Sequence, residues 1–219
     1  MEENYRTYIK SRFFNHPNYH KQNERPVVFL YDEIALINET QAIKIFTNMF
    51  EKTYRENLFL IADSLFRIPS SPAGEVEKYF LSKKDISLFN SLTGFLGFFS
   101  PLLEEKYVLN YNHYFVNHLK SWREFARLNK KFFTFTVIPG FSYIDKEGSK
   151  LPRSAQEFER RIKIILHLLS DQRYREIRID TWNDFGENTY VEPSRKEGFS
   201  YLNVLRETLD LYASRVREL

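Results

Sequence analysis

The sequence predicts an α/β fold with a largely parallel sheet. Five short apolar runs lie along the chain, and segments with helical periodicity fill the gaps between them. The first two runs are nearly continuous in hydrophobicity, which is typical of parallel strands covered on both faces. Polar residues follow each run where the strand should end. This alternation favours a parallel sheet joined by crossover helices.

Five strands and four helices are predicted. The strands cover residues 26–31, 57–62, 94–99, 132–138 and 176–182, and Arg178 is the residue least expected inside the last one. The helices cover residues 39–54, 109–129, 154–170 and 201–216. Ser154 and Glu157 open the third helix at the spacing of a capping box. No repeat, low-complexity tract or linker interrupts the pattern, so we expect residues 1–219 to form one domain.

Composition and charge argue against several classes of function. The net charge is only +3 and no long Lys/Arg block occurs, so nucleic acid is not an expected partner. The chain has no cysteine, and His113 and His118 are spaced unfavourably for a metal pair on a helix, so we expect no metal and no cofactor. The first residues do not resemble a secretory leader, and no apolar stretch approaches the ~20 residues that cross a bilayer. We therefore expect a cytoplasmic protein without a membrane partner.

The segment after the last predicted strand carries the most informative constellation. Asp184 and Glu187 lie three residues apart in a polar and aromatic loop, where a tight turn would aim both carboxylates into one cavity. Paired carboxylates are what glycosidic cleavage requires. Trp182, Asn183 and Tyr190 would supply a stacking face and hydrogen bonds to hydroxyl groups. The spacing alone is also typical of two surface acids that cap a turn, so it leaves both interpretations open.

Other candidates lie at the carboxyl ends of predicted strands, where α/β barrels place their chemistry. Tyr31 and Asp32 end the first strand and are candidates for contacting substrate. Glu192 would hydrogen-bond either its own loop or a sugar hydroxyl. A doubly wound sheet would place its ligand at the same edge. That fold usually carries a Gly-rich phosphate loop, however, and none follows any strand in this chain of only seven glycines.

Four motifs carry a family resemblance. Residues 183–193 read Asn-Asp-Phe-Gly-Glu-Asn-Thr-Tyr-Val-Glu-Pro. Weaker motifs occur at residues 14–31, at residues 137–141 (Val-Ile-Pro-Gly-Phe) and at residues 198–202 (Gly-Phe-Ser-Tyr-Leu). In this order they resemble the family 99 glycoside hydrolases (endo-α-mannosidase-like) and the related WbsX-like proteins. The last barrel segment of that family reads Asn-Glu-Trp-x-Glu-Gly-Thr-x-Ile-Glu-Pro and aligns here without a gap.

The resemblance implies roles for the two acids. Asp184 occupies the position of the family's first catalytic glutamate, which assists the sugar's own 2-hydroxyl to attack the anomeric carbon. Glu187 occupies that of the second, which protonates the leaving oxygen and then activates water. Asp184 departs from the family because its carboxylate stands one methylene further back, and a misplacement of ~1 Å can cost about a hundredfold in rate. Asn188 replaces a glycine, which suits a left-handed backbone conformation.

The resemblance also implies a TIM-type (β/α) barrel that is partial. A full barrel has eight strands in about 250 residues, and the five predicted strands match the family's strands four to eight. We therefore expect the first three units to be missing and strand edges to be open, so that self-association or a partner would complete the barrel. The implied function is retaining cleavage of O-glycosidic bonds in an oligosaccharide or polysaccharide of α-mannoside type. The alternatives are a non-catalytic carbohydrate-binding protein and a role in polysaccharide biosynthesis.

Overall fold

A curled sheet lies at the centre of the structure, a computed structural model that describes residues 2–30, 48–53, 57–66, 86–96, 104–142, 151–170 and 173–217. The strands in these ranges are β1 (Lys21–Gln22), β2 (Arg25–Leu30), β3 (Phe59–Phe66), β4 (Ser91–Phe95), β5 (Phe132–Phe133), β6 (Phe135–Val137) and β7 (Ile177–Ile179). Their order is β1-β2-β3-β4-β5 in one sheet and β6-β7 in a second. All pairings are parallel except that of β1 with β2.

The two sheets join at Thr134, which separates β5 from β6 in one extended run of chain. β5 pairs with β4, and the Thr134 N–H donates to the Leu92 carbonyl at 2.9 Å, whereas β6 pairs with β7. The same run therefore borders both sheets, and the sheet continues around a curl to β7. The prediction of an α/β fold with a parallel sheet is confirmed, and the curl fits part of a barrel.

The third predicted strand is displaced. The apolar run predicts a strand over residues 94–99, but β4 begins three residues earlier, and residues 97–100 lie outside the described residues. Ser91 and Thr93 read as polar loop residues in the sequence. In the structure both are fully buried, and Ser91 Oγ lies 2.8 Å from Thr134 Oγ1. Because these hydroxyl groups are sheltered inside the curl, hydrophobicity alone does not reveal the strand.

Three long helices lie on the outer side of the sheet, two of them packed on strands and the last packed on the helix before it. The described helices are α1 (Glu2–Asn4), which continues as a π-helix (Tyr5–Phe14), α2 (Glu104–Leu128), α3 (Ala155–Leu169) and α4 (Ser200–Arg217), together with a short π-helix (Met49–Thr53) and a short 3₁₀ helix (Ile86–Leu88). Ser154 caps α3, because its Oγ accepts the Glu157 N–H at 3.2 Å, as the capping-box spacing predicts. Most of the helix predicted over residues 39–54 lies outside the described residues. No helix in the described ranges is long and apolar enough to cross a membrane.

The main core lies between the helices and the outer face of the sheet. Leu60, Ala62 and Leu92 contribute from the strands, and Trp122 and Phe158 are among the largest buried side chains that the helices contribute. The inner face is different. Phe59, Ile61 and Tyr174 form a separate apolar cluster inside the curl. Beyond this cluster, toward the carboxyl ends of the strands, the buried side chains are polar: Asp63, Thr93, Thr136 and Asp180.

Candidate active site

The loop that follows β7 folds back on itself and is held by paired hydrogen bonds. The Thr181 N–H donates to the Thr189 carbonyl at 2.9 Å, and the Val191 N–H donates to the Thr181 carbonyl at 3.0 Å. The hydroxyl groups of Thr181 and Thr189 lie 2.9 Å apart. We call residues 181–192 the carboxylate loop. Its base is therefore closed, and the residues between the two threonines project from a fixed frame.

Asp184 and Glu187 are coupled through the backbone of the carboxylate loop. Asp184 Oδ1 accepts the Glu187 N–H at 2.8 Å, and the Asp184 N–H donates to Thr181 Oγ1 at 3.0 Å. One oxygen of Asp184 thus caps the turn, which is one of the two interpretations that the spacing left open. The bond also fixes the Asp184 carboxylate beside the residue that bears the second acid.

The environment of Glu187 raises the pKa of its carboxyl group. Partial burial is the main cause, and the carboxylates of Asp184 and Asp180 add repulsion in the same direction. Both effects disfavour the charged form. A carboxyl group that holds its proton at higher pH is suited to donate it to a leaving oxygen. The electrostatics of the loop therefore fit an acid/base role for Glu187.

A buried ionic cluster lies beneath the carboxylate loop. Arg178 Nε is 2.5 Å from Asp180 Oδ1, and Arg178 Nη1 is 2.7 Å from Asp63 Oδ1. Thr136 donates its hydroxyl to Asp180 Oδ2 at 2.6 Å. Burial raises the pKa of Asp180 in spite of its attraction to Arg178. This cluster explains how Arg178 is accommodated inside a strand, since the side chain is paired with two carboxylates.

Aromatic rings border the two acids. Trp182 is 52% exposed and Phe185 is 43% exposed, so both present open ring surface on the loop. Tyr190 is buried, and its ring stacks on Phe185 with centroids 4.2 Å apart. The other side of the Tyr190 ring faces the Arg153 guanidinium at 3.9 Å. Tyr190 is therefore covered on both faces, and the exposed surface of that stack belongs to Phe185.

The remaining predicted site residues are placed as follows. Asn183 is exposed on the carboxylate loop, and Glu192 is half-buried at its end, with its N–H donating to the Trp182 carbonyl at 2.8 Å. Tyr31 and Asp32 lie outside the described residues. The structure thus brings six of the eight predicted residues onto one loop. Because they follow one another in the sequence, this proximity is the easiest part of the site to predict.

Sequence reasoning missed three contributors to this site. Asp180 reads as an ordinary polar residue at a strand end, and Phe185 aligns with the tryptophan of the family motif without being among the predicted site residues. Arg153 lies 28 residues before the first residue of the loop, Thr181, and stands between a proline and the cap of α3. The departure of Asn188 from the family's glycine is explained, because its φ is 56° and only small polar residues or glycine adopt that region readily. Asn188 therefore meets the condition, a left-handed conformation, under which it can replace the glycine.

Among the residues that the structure describes, no group of three or more His, Asp or Glu side chains lies close enough together to hold an ion.

Two comparisons with known proteins, one of sequence and one of structure, agree with the fold described above. The family model described as "Glycosyltransferase WbsX" matches residues 2–205. A solved structure of the GH99 endo-α-mannosidase from Bacteroides thetaiotaomicron, in complex with Bis-Tris propane, superposes with a TM-score of 0.58 at 14% sequence identity. The match covers 93% of this chain and 62% of that one, so this chain spans less than two thirds of the length of the mannosidase. None of the curated proteins compared with the sequence matches it.

The sequence motifs, the curled sheet and the carboxylate loop after its last strand thus point to one group of proteins. The fold is GH99-like, as the superposition shows. Because the family model spans nearly the whole sequence, this protein belongs to the WbsX glycosyltransferase family.

Proposed function

We propose that the carboxylate loop is the catalytic part of a glycosidase-type site in which Glu187 is the acid/base and Asp184 is its partner. The raised pKa of Glu187 carries this proposal, since partial burial and two neighbouring carboxylates favour its protonated form. In a pair of catalytic carboxyl groups, the member with the raised pKa acts as the acid. Glu187 would first protonate the oxygen of the leaving sugar and then, as a carboxylate, activate water.

Asp184 would act on the sugar that is being cleaved. Its Oδ1 is engaged by the Glu187 N–H at 2.8 Å, so Oδ2 is the oxygen that would accept the proton of the 2-hydroxyl. The 2-oxygen would attack the anomeric carbon as the glycosidic C–O bond breaks, and a 1,2-anhydro sugar would form. Water would then open that ring at the anomeric carbon and lose its proton to Glu187, while Asp184 returns its proton to the 2-oxygen, and the configuration would be retained. No cofactor takes part in either step.

Substrate recognition would combine ring stacking with hydrogen bonds. The exposed faces of Trp182 and Phe185 suit the apolar faces of pyranose rings. Asn183 and Glu192 carry the polar groups that would bind sugar hydroxyls, and Tyr190 would support Phe185 from behind. Tyr31 and Asp32 remain proposed contributors from the end of the first strand. The substrate class that fits is an oligosaccharide or polysaccharide, with α-mannosides as the first choice.

A second candidate function is carbohydrate binding without turnover, in a protein that serves polysaccharide synthesis. Two observations favour it. Asp184 has a shorter side chain than the family's glutamate and is tied to the loop through Oδ1. The description of the matched family names a glycosyltransferase rather than a hydrolase. In this case the aromatic surface of the loop would still bind glycans, but no glycan would be hydrolysed.

The barrel would be completed by self-association or by a partner. Within the described residues β7 pairs only with β6, so its other edge has no strand beside it there. A second copy or another chain would supply the missing pairing, because an open edge of this kind is a template for strand addition. Light scattering of the purified chain at several concentrations tests for self-association.

The decisive experiment compares Glu187→Gln with the parent chain on α-mannosides and related glycans. Glu159→Gln is the matched control, since Glu159 lies on the outside of α3 and pairs with Lys163. We expect turnover by the parent and by Glu159→Gln, and loss of at least about a hundredfold in Glu187→Gln with glycan binding retained. Binding without turnover in all three proteins would support the second candidate instead. Turnover that survives in Glu187→Gln would refute the assignment of Glu187.

A further inference from the structure

Arg153 lies behind the carboxylate loop and binds it to the start of α4. Its side chain is only 7% exposed. Nη1 donates to the carbonyl oxygens of both Asn188 and Tyr190 at 2.9 Å. Nε and Nη2 donate to the two carboxylate oxygens of Glu197 at 3.0 and 2.8 Å. A single guanidinium therefore connects two carbonyls of the loop to a carboxylate that lies just before α4.

The same guanidinium is enclosed between two aromatic rings. Its central carbon lies 3.9 Å from the centroid of Tyr190 and 4.2 Å from that of Tyr201, a residue of α4. Tyr190 in turn stacks on Phe185. Tyr201, Arg153, Tyr190 and Phe185 thus form one continuous stack from the helix to the exposed surface of the site. Only a planar, delocalised cation can fill its place in such a stack and donate four hydrogen bonds in its own plane.

The chain that leaves β6 packs against Arg153 from a third side. A Cβ atom added to Gly140 would lie 2.6 Å from Arg153 Cγ and 3.0 Å from its Cα. Two residues later, the Ser142 N–H donates to the Glu187 carbonyl at 2.9 Å. The absence of a side chain at Gly140 therefore lets Arg153 approach this segment closely. Arg153 is confined by backbone, by rings and by its carboxylate partner, so its position is well determined.

We infer that Arg153 is a positioning residue for the catalytic loop, which it holds through the carbonyl groups that follow Glu187. It makes no contact with the reacting atoms. By fixing Asn188 and Tyr190 it would set where the Glu187 carboxyl group and the Phe185 ring stand. The inference rests on the proposed function only in calling the loop catalytic, because the role of Arg153 in ordering that loop is a matter of structure.

The test measures order in the loop without any substrate. Amide hydrogen exchange of the full chain is followed by NMR in the parent, in Arg153→Lys and in Arg153→Met. Arg160→Met is the matched control, because Arg160 lies on α3 with its side chain 64% exposed. The informative amides are those of Glu187 and Val191, which are bonded within the loop. Amides of β4 and α2 report on the stability of the whole fold.

We expect the loop amides to exchange at least about tenfold faster in both Arg153 variants, since several hydrogen bonds from one charged group are lost. Amides of β4 and α2 should change less than about twofold, and Arg160→Met should leave all of them unchanged. Lysine is informative because it keeps the positive charge but lacks the planar guanidinium group that donates to several acceptors at once. If Arg153→Met fails to fold, Arg153→Lys decides. An unchanged loop, or acceleration that is uniform over the chain, would overturn the inference.

A second readout separates this inference from the proposed function. The titration of Glu187, followed by carboxyl-carbon NMR and identified with Glu187→Gln, should move toward lower pH in Arg153→Lys as the loop loosens and the carboxyl group gains solvent. Arg160→Met should not shift it. If the parent chain cleaves no glycan, the proposed function fails but both readouts stand. If it cleaves glycans and neither readout responds to Arg153→Lys, only the positioning role fails.

Discussion

Arg178 on β7 forms an ion pair with Asp63 on β3, with Nη1 2.7 Å from the Asp63 carboxylate. In the strand order of the curled sheet, β4 and the β5–β6 run lie between these two strands, so the contact crosses the inside of the curl. Asp63 is completely buried and the Arg178 side chain is 12% exposed. The pair therefore ties the strand that leads into the carboxylate loop to the middle of the sheet, away from solvent.

Replacement of Arg178 by methionine should destabilise the fold strongly. The stem of the side chain would remain, but Asp63 and Asp180 would be left as buried carboxylates without their common cation. Breaking a buried pair in this way costs about 3–5 kcal/mol. Urea unfolding at neutral pH, followed by circular dichroism, measures this loss of free energy of unfolding.

Arg160→Met on the outer face of α3 is the control for the loss of one positive charge, and it should stay within about 0.5 kcal/mol of the parent. The deficit of Arg178→Met should shrink as the pH is lowered, because protonation removes the charge from the two unpaired carboxylates. A deficit below about 1 kcal/mol at neutral pH would contradict the importance of the buried pair.

Replacement of Glu187 by glutamine should stabilise the protein at neutral pH. Burial and the neighbouring carboxylates raise the pKa of Glu187 in the folded state. The folded state therefore binds more protons than the unfolded state between the ordinary glutamate pKa, about 4.3, and the higher folded value. The stability of the parent falls as the pH rises through that window, whereas the glutamine variant has no such loss.

Unfolding free energies measured at several pH values check this prediction. The two proteins should be similar in stability below the ordinary glutamate pKa, and the variant should gain over the parent as the pH rises. Glu159→Gln on α3 removes an exposed carboxyl group paired with Lys163 and should show no such gain. A Glu187→Gln variant that is less stable than the parent at neutral pH would show that the carboxylate is favourably bound in the loop.

The sequence predicts well those parts of the fold in which the interacting side chains lie close together along the chain. The cap of α3 follows from Ser154 and Glu157, and the carboxylate loop follows from a contiguous motif. The long-range contacts were not predictable in this way. Arg178 looks misplaced until Asp63, more than a hundred positions earlier, is known to lie beside it. Arg153 likewise has no visible role until the turn of the loop brings two carbonyls to its guanidinium.

The start of β4 shows the same limit for hydrophobic patterns. A polar residue on the inner face of a curled sheet can be as fully buried as an apolar residue when a neighbouring hydroxyl group forms a hydrogen bond with it. Ser91 has such a partner in Thr134, whose hydroxyl also lies 2.9 Å from the Tyr174 hydroxyl. The strand predicted from the apolar run at residues 94–99 therefore begins three residues after the true start of β4 at Ser91. A hydrophobic pattern in the sequence indicates which residues are buried only when the buried side chains are apolar.

Asn188 provides a test of backbone strain in the carboxylate loop. Its φ of 56° lies in the left-handed region, and its Nδ2 donates to Ser142 Oγ at 3.1 Å. Glycine and alanine variants both lose this side-chain bond, so the difference between them isolates the backbone conformation. The alanine variant should be less stable than the glycine variant by about 1 kcal/mol. Equal unfolding free energies of the two variants would mean that the loop changes its conformation at this residue.

Exposed rings beside the two acids should contribute to glycan binding and little to stability. Trp182 is 52% exposed, and Trp182→Ala should weaken binding of an α-mannoside oligosaccharide at least about tenfold while unfolding stays within about 1 kcal/mol of the parent. Phe199→Ala is the control, because Phe199 is 62% exposed but lies immediately before α4, outside the carboxylate loop. Calorimetric titration and urea unfolding of the same samples provide both quantities. Equal losses of affinity in the two variants would argue for a general apolar effect, and no loss in Trp182→Ala would remove that ring from the proposed site.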